Sequence, residues 1–165
     1  MYAETLPQLI QDHRGQIVSG AIDRVRLEPE LAGLIDSRCD VAAWFHRIIE
    51  ALDRWPGIAT DNQAERLHFT FGEGCARNGI PLHQVMRALH LLKSRIVDFA
   101  RSQGLARNSL EIYVEEELEN RVSFFFDWLL YHVVLGYESV RPLHLDKPQA
   151  PKKQDVRDLP GWVPL

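Results

Sequence analysis

The sequence predicts an all-α protein: a single bundle of five or six helices with the long C-terminal helix at its centre. Three observations carry this. Apolar residues recur at three- and four-residue steps through most of the 165 positions, which is the spacing of one helical face. No stretch alternates apolar and polar residues as a half-buried strand would. The corner Arg77-Asn78-Gly79-Ile80-Pro81-Leu82 ends one helix and begins another, since Asn-Gly suits a left-handed cap and proline is pre-set for a first helical turn.

Leu6, Leu9, Ile10, Ile17, Val18, Ile22 and Val25 define one face of a first helix over Leu6–Val25, weakened at Gly15 and Gly20 by about 1 kcal/mol each relative to Ala. Pro29 stops or restarts the chain, because the residue before a proline avoids helical backbone, and a short helix over Glu30–Ile35 follows. Asp40 suits an N-cap for a helix from Val41. Its stripe Val41, Trp44, Phe45, Ile48, Ile49 and Leu52 runs to the breaker Trp55-Pro56-Gly57, and His46 and Arg47 fall outside it. Asp61–Asn78 reads as a helix with Ala64, Leu67, Phe71 and Cys75 inward.

From Pro81 the pattern is cleanly amphipathic over Leu82–Gln103. Leu82, Val85, Met86, Leu89, Leu92, Ile96, Phe99 and Ala100 lie on one side, and His83, Arg87, His90, Ser94 and Arg101 on another. Gly104 ends this helix, and Asn108 with Glu111 forms a capping-box-like start for the last and longest one, Ser109–Val140. Glu115, Glu116, Glu117 and Glu119 keep its first half wet on at least one side. Val122–Leu135 is apolar nearly all round, as in a helix central to a bundle or one half of an oligomer interface. Phe124, Trp128, Tyr131 and Leu135 are the dimer-interface candidates. The organisation expected is one helical domain, 1–141, and a flexible Pro-rich tail, 142–165.

Composition bounds the function. A net charge of −4 gives no electrostatic basis for holding phosphate backbones, so nucleic acid is a poor partner. No apolar run approaches the ~20 residues of a membrane span, and the N-terminus lacks a basic segment followed by an apolar one, so the expected location is the cytoplasm. Cys39 and Cys75 lie far apart in no metal-binding or CxxC spacing; they read as buried or partly buried thiols, with neither a zinc site nor a disulfide framework implied. Nucleophile-elbow, phosphate-loop and HExxH signatures are missing. The reading is non-enzymatic.

Two groups of residues stand out chemically. His83, Arg87 and His90 follow one another at four- and three-residue steps, so two imidazoles and a guanidinium on one helical face form a candidate surface for an anion or an acidic partner; the competing reading is a solvated face. His132 falls on the helical wheel among Phe125, Trp128 and Leu129, so its imidazole must find a hydrogen-bond partner and stay neutral, or ligate something. A satisfied core histidine is the plainer reading. No cofactor is required, and a haem or small ligand held by His132 or His90 is the alternative. Asp127, on a meridian with Glu116, Asn120 and Ser123, reads as exposed or paired with an arginine.

The run from Arg77 to Lys93 (RNGIPLHQVMRALHLLK), with Phe125-Phe126-Asp127 and Gly136-Tyr137-Glu138, resembles the RsbRD-type N-terminal domain. Such domains are helical modules at the front of bacterial stress-signalling co-antagonists of the RsbT kinase, and ahead of some sensor histidine kinases and transcription regulators. The likeness is best over Ala64–Glu138. It implies a sensory or regulatory module that forms a homodimer and binds a protein partner in signal transduction. Members of that family generally continue into an output domain, whereas a Pro-rich tail follows Glu138 here; this departure from the family pattern makes a stand-alone sensory or adaptor module the expectation.

Overall fold

The computed structural model describes residues 6–54, 62–103 and 109–140. These residues form helices and their connections, with no strand among them: α1 (Leu6–Asp12), α2 (Arg14–Leu27), a 3-10 turn (Pro29–Leu31), α3 (Ala32–Ile35), α4 (Val41–Arg54), α5 (Asn62–Arg77), α6 (Leu82–Ser102) and α7 (Ser109–Val140). The all-α bundle is as expected, with one more helix than the sequence implies. The predicted Leu6–Val25 helix divides at His13, whose Nδ1 lies 3.0 Å from the Leu9 carbonyl that also accepts the His13 backbone N–H. A side chain bonded into the helical ladder is a recognised cause of a kink. Here the His13 ring also packs, tilted by 39°, against Phe99 of α6 at 5.2 Å.

The punctuation behaves as its chemistry requires. Asp40 Oδ1 accepts the Ala43 N–H at 2.9 Å and caps α4. At the α5–α6 corner Gly79 has φ +70°, the Ile80 N–H donates to the Cys75 carbonyl at 3.0 Å and the Gly79 N–H to the Ala76 carbonyl at 3.1 Å. Those two bonds with a left-handed glycine make a Schellman motif. Pro81 is the N-cap of α6, one position before the first turn anticipated for it. The breaker at 55–57, the cap at Asn108 and the tail 142–165 lie outside the described residues.

One core joins the elements. α4 buries all six of its predicted stripe residues, and α6 buries Val85, Leu89, Leu92, Ile96, Phe99 and Ala100 with Ala88 and Leu91. Met86, expected on that side, is exposed. Each large aliphatic or aromatic side chain fully buried contributes about 1.5–3 kcal/mol. Ion pairs stitch the outside: Arg14 with Glu50 between α2 and α4, Arg24 with Asp98 between α2 and α6, Arg101 with Glu119 between α6 and α7. Exposed pairs of this kind set register more than stability.

The closest packing is between α5 and α7. A Cβ added to Gly72 would lie 2.1 Å from the Val133 carbonyl oxygen, and one added to Gly136 would lie 1.9 Å from that of Phe69. The two backbones are therefore in direct contact, a separation only glycine permits. The helices run the same way: Arg121 reaches the Asp53 carbonyl ahead of α5, Trp128 meets His68, and Tyr137 donates its hydroxyl to the Ile80 carbonyl beyond the end of α5 at 2.8 Å.

Candidate functional site

Three places collect the chemistry-bearing side chains: a buried aromatic–histidine cluster between α4, α5 and α7, the outer face of α7, and the stripe on α6.

In the cluster the fully buried histidine is His68 of α5, with no exposed surface. Trp44 Nε1 donates to His68 Nδ1 at 3.3 Å. An indole N–H can only donate, so Nδ1 is the acceptor and the neutral ring carries its proton on Nε2. That nitrogen is buried without a hydrogen-bond partner. Around the ring stand Trp44, itself stacked 3.6 Å from Phe71, and Trp128, edge-on at 5.7 Å. Burial in these surroundings pushes the imidazole down to about pKa 4, and the charge of nearby His132 pushes the same way. His68 is therefore held neutral at physiological pH.

His132 occupies a different position from the core placement expected of it. Its side chain retains 15% exposure, packs against Trp128 at 4.9 Å and Tyr131 at 5.3 Å, and puts Nε2 3.9 Å from a carboxylate oxygen of Glu65. It lies at the rim of the cluster, and His68 lies at its centre. Sequence reading missed His68 because Ala64, Leu67, Phe71 and Cys75 already supplied an apolar face for α5. The available signal was its meridian: His68 follows Ala64 by four residues and precedes Phe71 by three, so it shares their side of the helix.

On the outer face of α7, Phe124 is 67% exposed, Tyr131 61% and Leu135 39%, with Trp128 partly buried between them. Steps of four, three and four residues confine the four side chains to one narrow stripe about 16 Å long at 1.5 Å per residue. On the opposite side of the segment Val122, Phe125, Phe126, Leu129 and Val133 are buried.

The α6 stripe keeps His83, Arg87 and His90 together on an exposed face, with Arg87 already engaged. Arg87 Nε donates to Glu28 Oε2 at 2.9 Å and a terminal nitrogen to Oε1 at 2.6 Å, a two-pronged pair joining α6 to the end of α2. The hydrogen bond from Arg87 holds the Glu28 carboxyl below its ordinary value, and the same bond raises Arg87. His90 adds its charge in the same direction on Glu28. The guanidinium thus serves a carboxylate of the same chain, at the C-cap of α2, and the imidazoles flank that pair.

The two cysteines are neighbours in space. Cys39, partly buried, lies in the connector before α4, Cys75 is buried in α5, and their sulfurs are 3.8 Å apart. Both are the buried or partly buried thiols that the sequence implies; their proximity is new, because the connector Asp36–Asp40 folds over the C-terminal turn of α5, a long-range contact that spacing alone does not encode.

Among the described residues no three His, Cys, Asp or Glu side chains are grouped to hold a metal ion, and no helix is long and apolar enough to cross a membrane. The chain matches no protein-family model, no curated protein and no solved structure.

Proposed function

We propose that this chain is a non-enzymatic regulatory module that acts by pairing with a second copy of itself and presenting the pair to a protein partner. The observation that carries the reading is the stripe on α7 in which Phe124, Tyr131 and Leu135 are exposed and Trp128 is partly buried. Large aromatic side chains left in water on a helix that is otherwise packed into the core along its α5 contact mark an interaction surface. A stripe at heptad-like spacing is self-complementary across a two-fold axis, as an isologous interface requires. The RsbRD-type resemblance supports the same reading, placing such modules in bacterial stress signalling. The His83–Arg87–His90 face, on a different helix, is the proposed surface for an acidic partner.

Sedimentation velocity over a range reaching high micromolar concentration tests the pairing. The wild type is expected to approach twice the 19.0 kDa chain mass. The double variant Phe124→Ser, Tyr131→Ser should stay monomeric with a melting temperature close to wild type, since both side chains are already exposed in the single chain. A wild type that is strictly monomeric throughout would refute the pairing.

A further inference from the structure

We propose that Cys39 and Cys75 form a reversible dithiol–disulfide pair that closes to an intramolecular disulfide when the protein meets a peroxide. The sulfurs stand 3.8 Å apart, so bond formation at about 2.05 Å requires a closure of under 2 Å. The two sides are unequal in a useful way. Cys75 is fixed in the last turns of α5, whereas Cys39 sits in a non-helical connector held by short-range bonds, its own N–H to Ser37 Oγ at 3.2 Å and Ser37 Oγ to the Leu34 carbonyl at 2.6 Å. The connector can supply the movement.

Access is unequal too. Cys39 is partly buried and lines a shallow surface cleft of about 320 Å³ with Ser37, Arg38 and Asp40, whereas Cys75 has no exposed surface. Burial and the neighbouring Cys39 sulfur push the Cys75 thiol far up, so it stays protonated. Cys39, the more accessible of the two, is therefore the sulfur that meets a peroxide first, and the Asn78 side-chain amide points a donor at it from 3.6 Å. In the first step a Cys39 S–O bond forms, the peroxide O–O bond breaks, and the departing hydroxide takes the proton that the Cys39 thiol gives up, as water. In the second, Cys75 Sγ attacks the Cys39 sulfur, the S–O bond breaks, and the departing hydroxide takes the Cys75 proton as a second water. Two thiols lose two electrons and one hydrogen peroxide becomes two waters.

The bond has a structural reach beyond the two sulfurs. The Cys75 carbonyl accepts the Ile80 N–H, and the Ile80 carbonyl accepts the Tyr137 hydroxyl. The end of α7 is thus two hydrogen bonds from the pair, on the helix that carries the exposed aromatic stripe.

The full chain, purified reduced, would be treated with hydrogen peroxide, denatured without reductant, alkylated and weighed by intact mass spectrometry. The expected product has lost the mass of two hydrogens, takes up no alkyl group where the untreated chain takes two, and returns to the untreated mass with dithiothreitol. Closing a loop between positions 36 apart should also raise the melting temperature by about 5–10 °C. In Cys75→Ala the same treatment should leave Cys39 carrying oxygen or bonded to a second copy. Two free thiols in the treated wild type would overturn the proposal. So would a wild type that accumulates sulfinic Cys39 beside a free Cys75, or that links to a second chain through Cys39. These readings need no cysteine variant to fold.

Discussion

Replacing Gly136 by alanine is the most direct probe of what holds the two halves of the molecule together. The new methyl carbon would sit 1.9 Å from the Phe69 carbonyl oxygen, 2.7 Å from its carbon and 2.9 Å from its Cα. All three are backbone atoms, so no rotamer change can relieve the clash. Reaching the 3.4 Å at which ordinary contact begins requires α5 and α7 to part by about 1.5 Å, which loosens the packing of Val133, Leu129 and Tyr137 along the same seam. Overpacking a well-filled core typically costs about 1–3 kcal/mol and occasionally more. Alanine recovers only about 1 kcal/mol in helix propensity over glycine. With backbone on both sides of the contact the upper part of the overpacking range applies, and a net loss of about 2 kcal/mol corresponds to a melting temperature lower by about 4–8 °C in a chain of this size. Urea unfolding followed by circular dichroism measures it. Gly74→Ala on α5 is the internal control, because nothing lies within 4 Å of the added Cβ, so propensity alone should leave that variant as stable as wild type or more so. A Gly136→Ala protein that unfolds at the same or a higher urea concentration than wild type would refute the close crossing of α5 and α7.

Three further outcomes follow from named contacts. His68, held near pKa 4 against 6.5 when unfolded, binds its proton more readily in the unfolded chain; its contribution is complete above about pH 6.5 and is lost as pH falls toward 4, a loss of about 3 kcal/mol by linkage, so His68→Phe should flatten the pH dependence of stability in that window. Glu28 has the opposite chemistry and the same sign: its carboxyl is depressed below 4.5 by Arg87, so the pair's contribution is present at neutral pH and disappears as pH falls through and below the carboxylate range. Arg87→Glu should lower the melting temperature at neutral pH, with partial recovery in the double variant Glu28→Arg, Arg87→Glu; equal melting of all three would show that the pair contributes nothing. Tyr137→Phe removes the buried hydroxyl from the Ile80 carbonyl, 2.8 Å away, and should cost about 1–3 kcal/mol in chemical unfolding because that acceptor is left unpaired.

What could be read from the sequence, and what could not, divides along a physical line. Local information was sufficient wherever one element's own pattern decided the result. The apolar stripe of α4 is buried throughout, Asp40 caps it, and Asn78-Gly79 turns the corner with the left-handed glycine that the dipeptide implies. Several of the failures are cases in which a second element decides. His13 breaks the first helix because Phe99 and the Leu9 carbonyl hold its ring; Met86 is exposed although its spacing is apolar; Arg87 answers Glu28, 59 positions earlier.

The histidines make the point most sharply. Periodicity placed His132 among aromatic residues, and Trp128 and Tyr131 do adjoin it, but it sits at the edge of the α5 contact, beside Glu65, and keeps 15% exposure. Trp44 arrives from α4 with the single indole N–H that satisfies Nδ1 of His68, and only that arrival allows a histidine to sit fully buried on α5. The same reasoning separates two kinds of exposed residue on α7. Glu116 and Asp127 are exposed and hydrophilic, and neither needs a partner. Phe124 and Tyr131 are exposed and aromatic on a helix already buried along its α5 contact. Covering one such side chain fully is worth about 1.5–3 kcal/mol, and within one chain that free energy goes unused. In the proposed pairing a second copy presenting the same stripe would recover it on both sides at once, so removing Phe124 and Tyr131 should abolish self-association while leaving the single-chain fold intact.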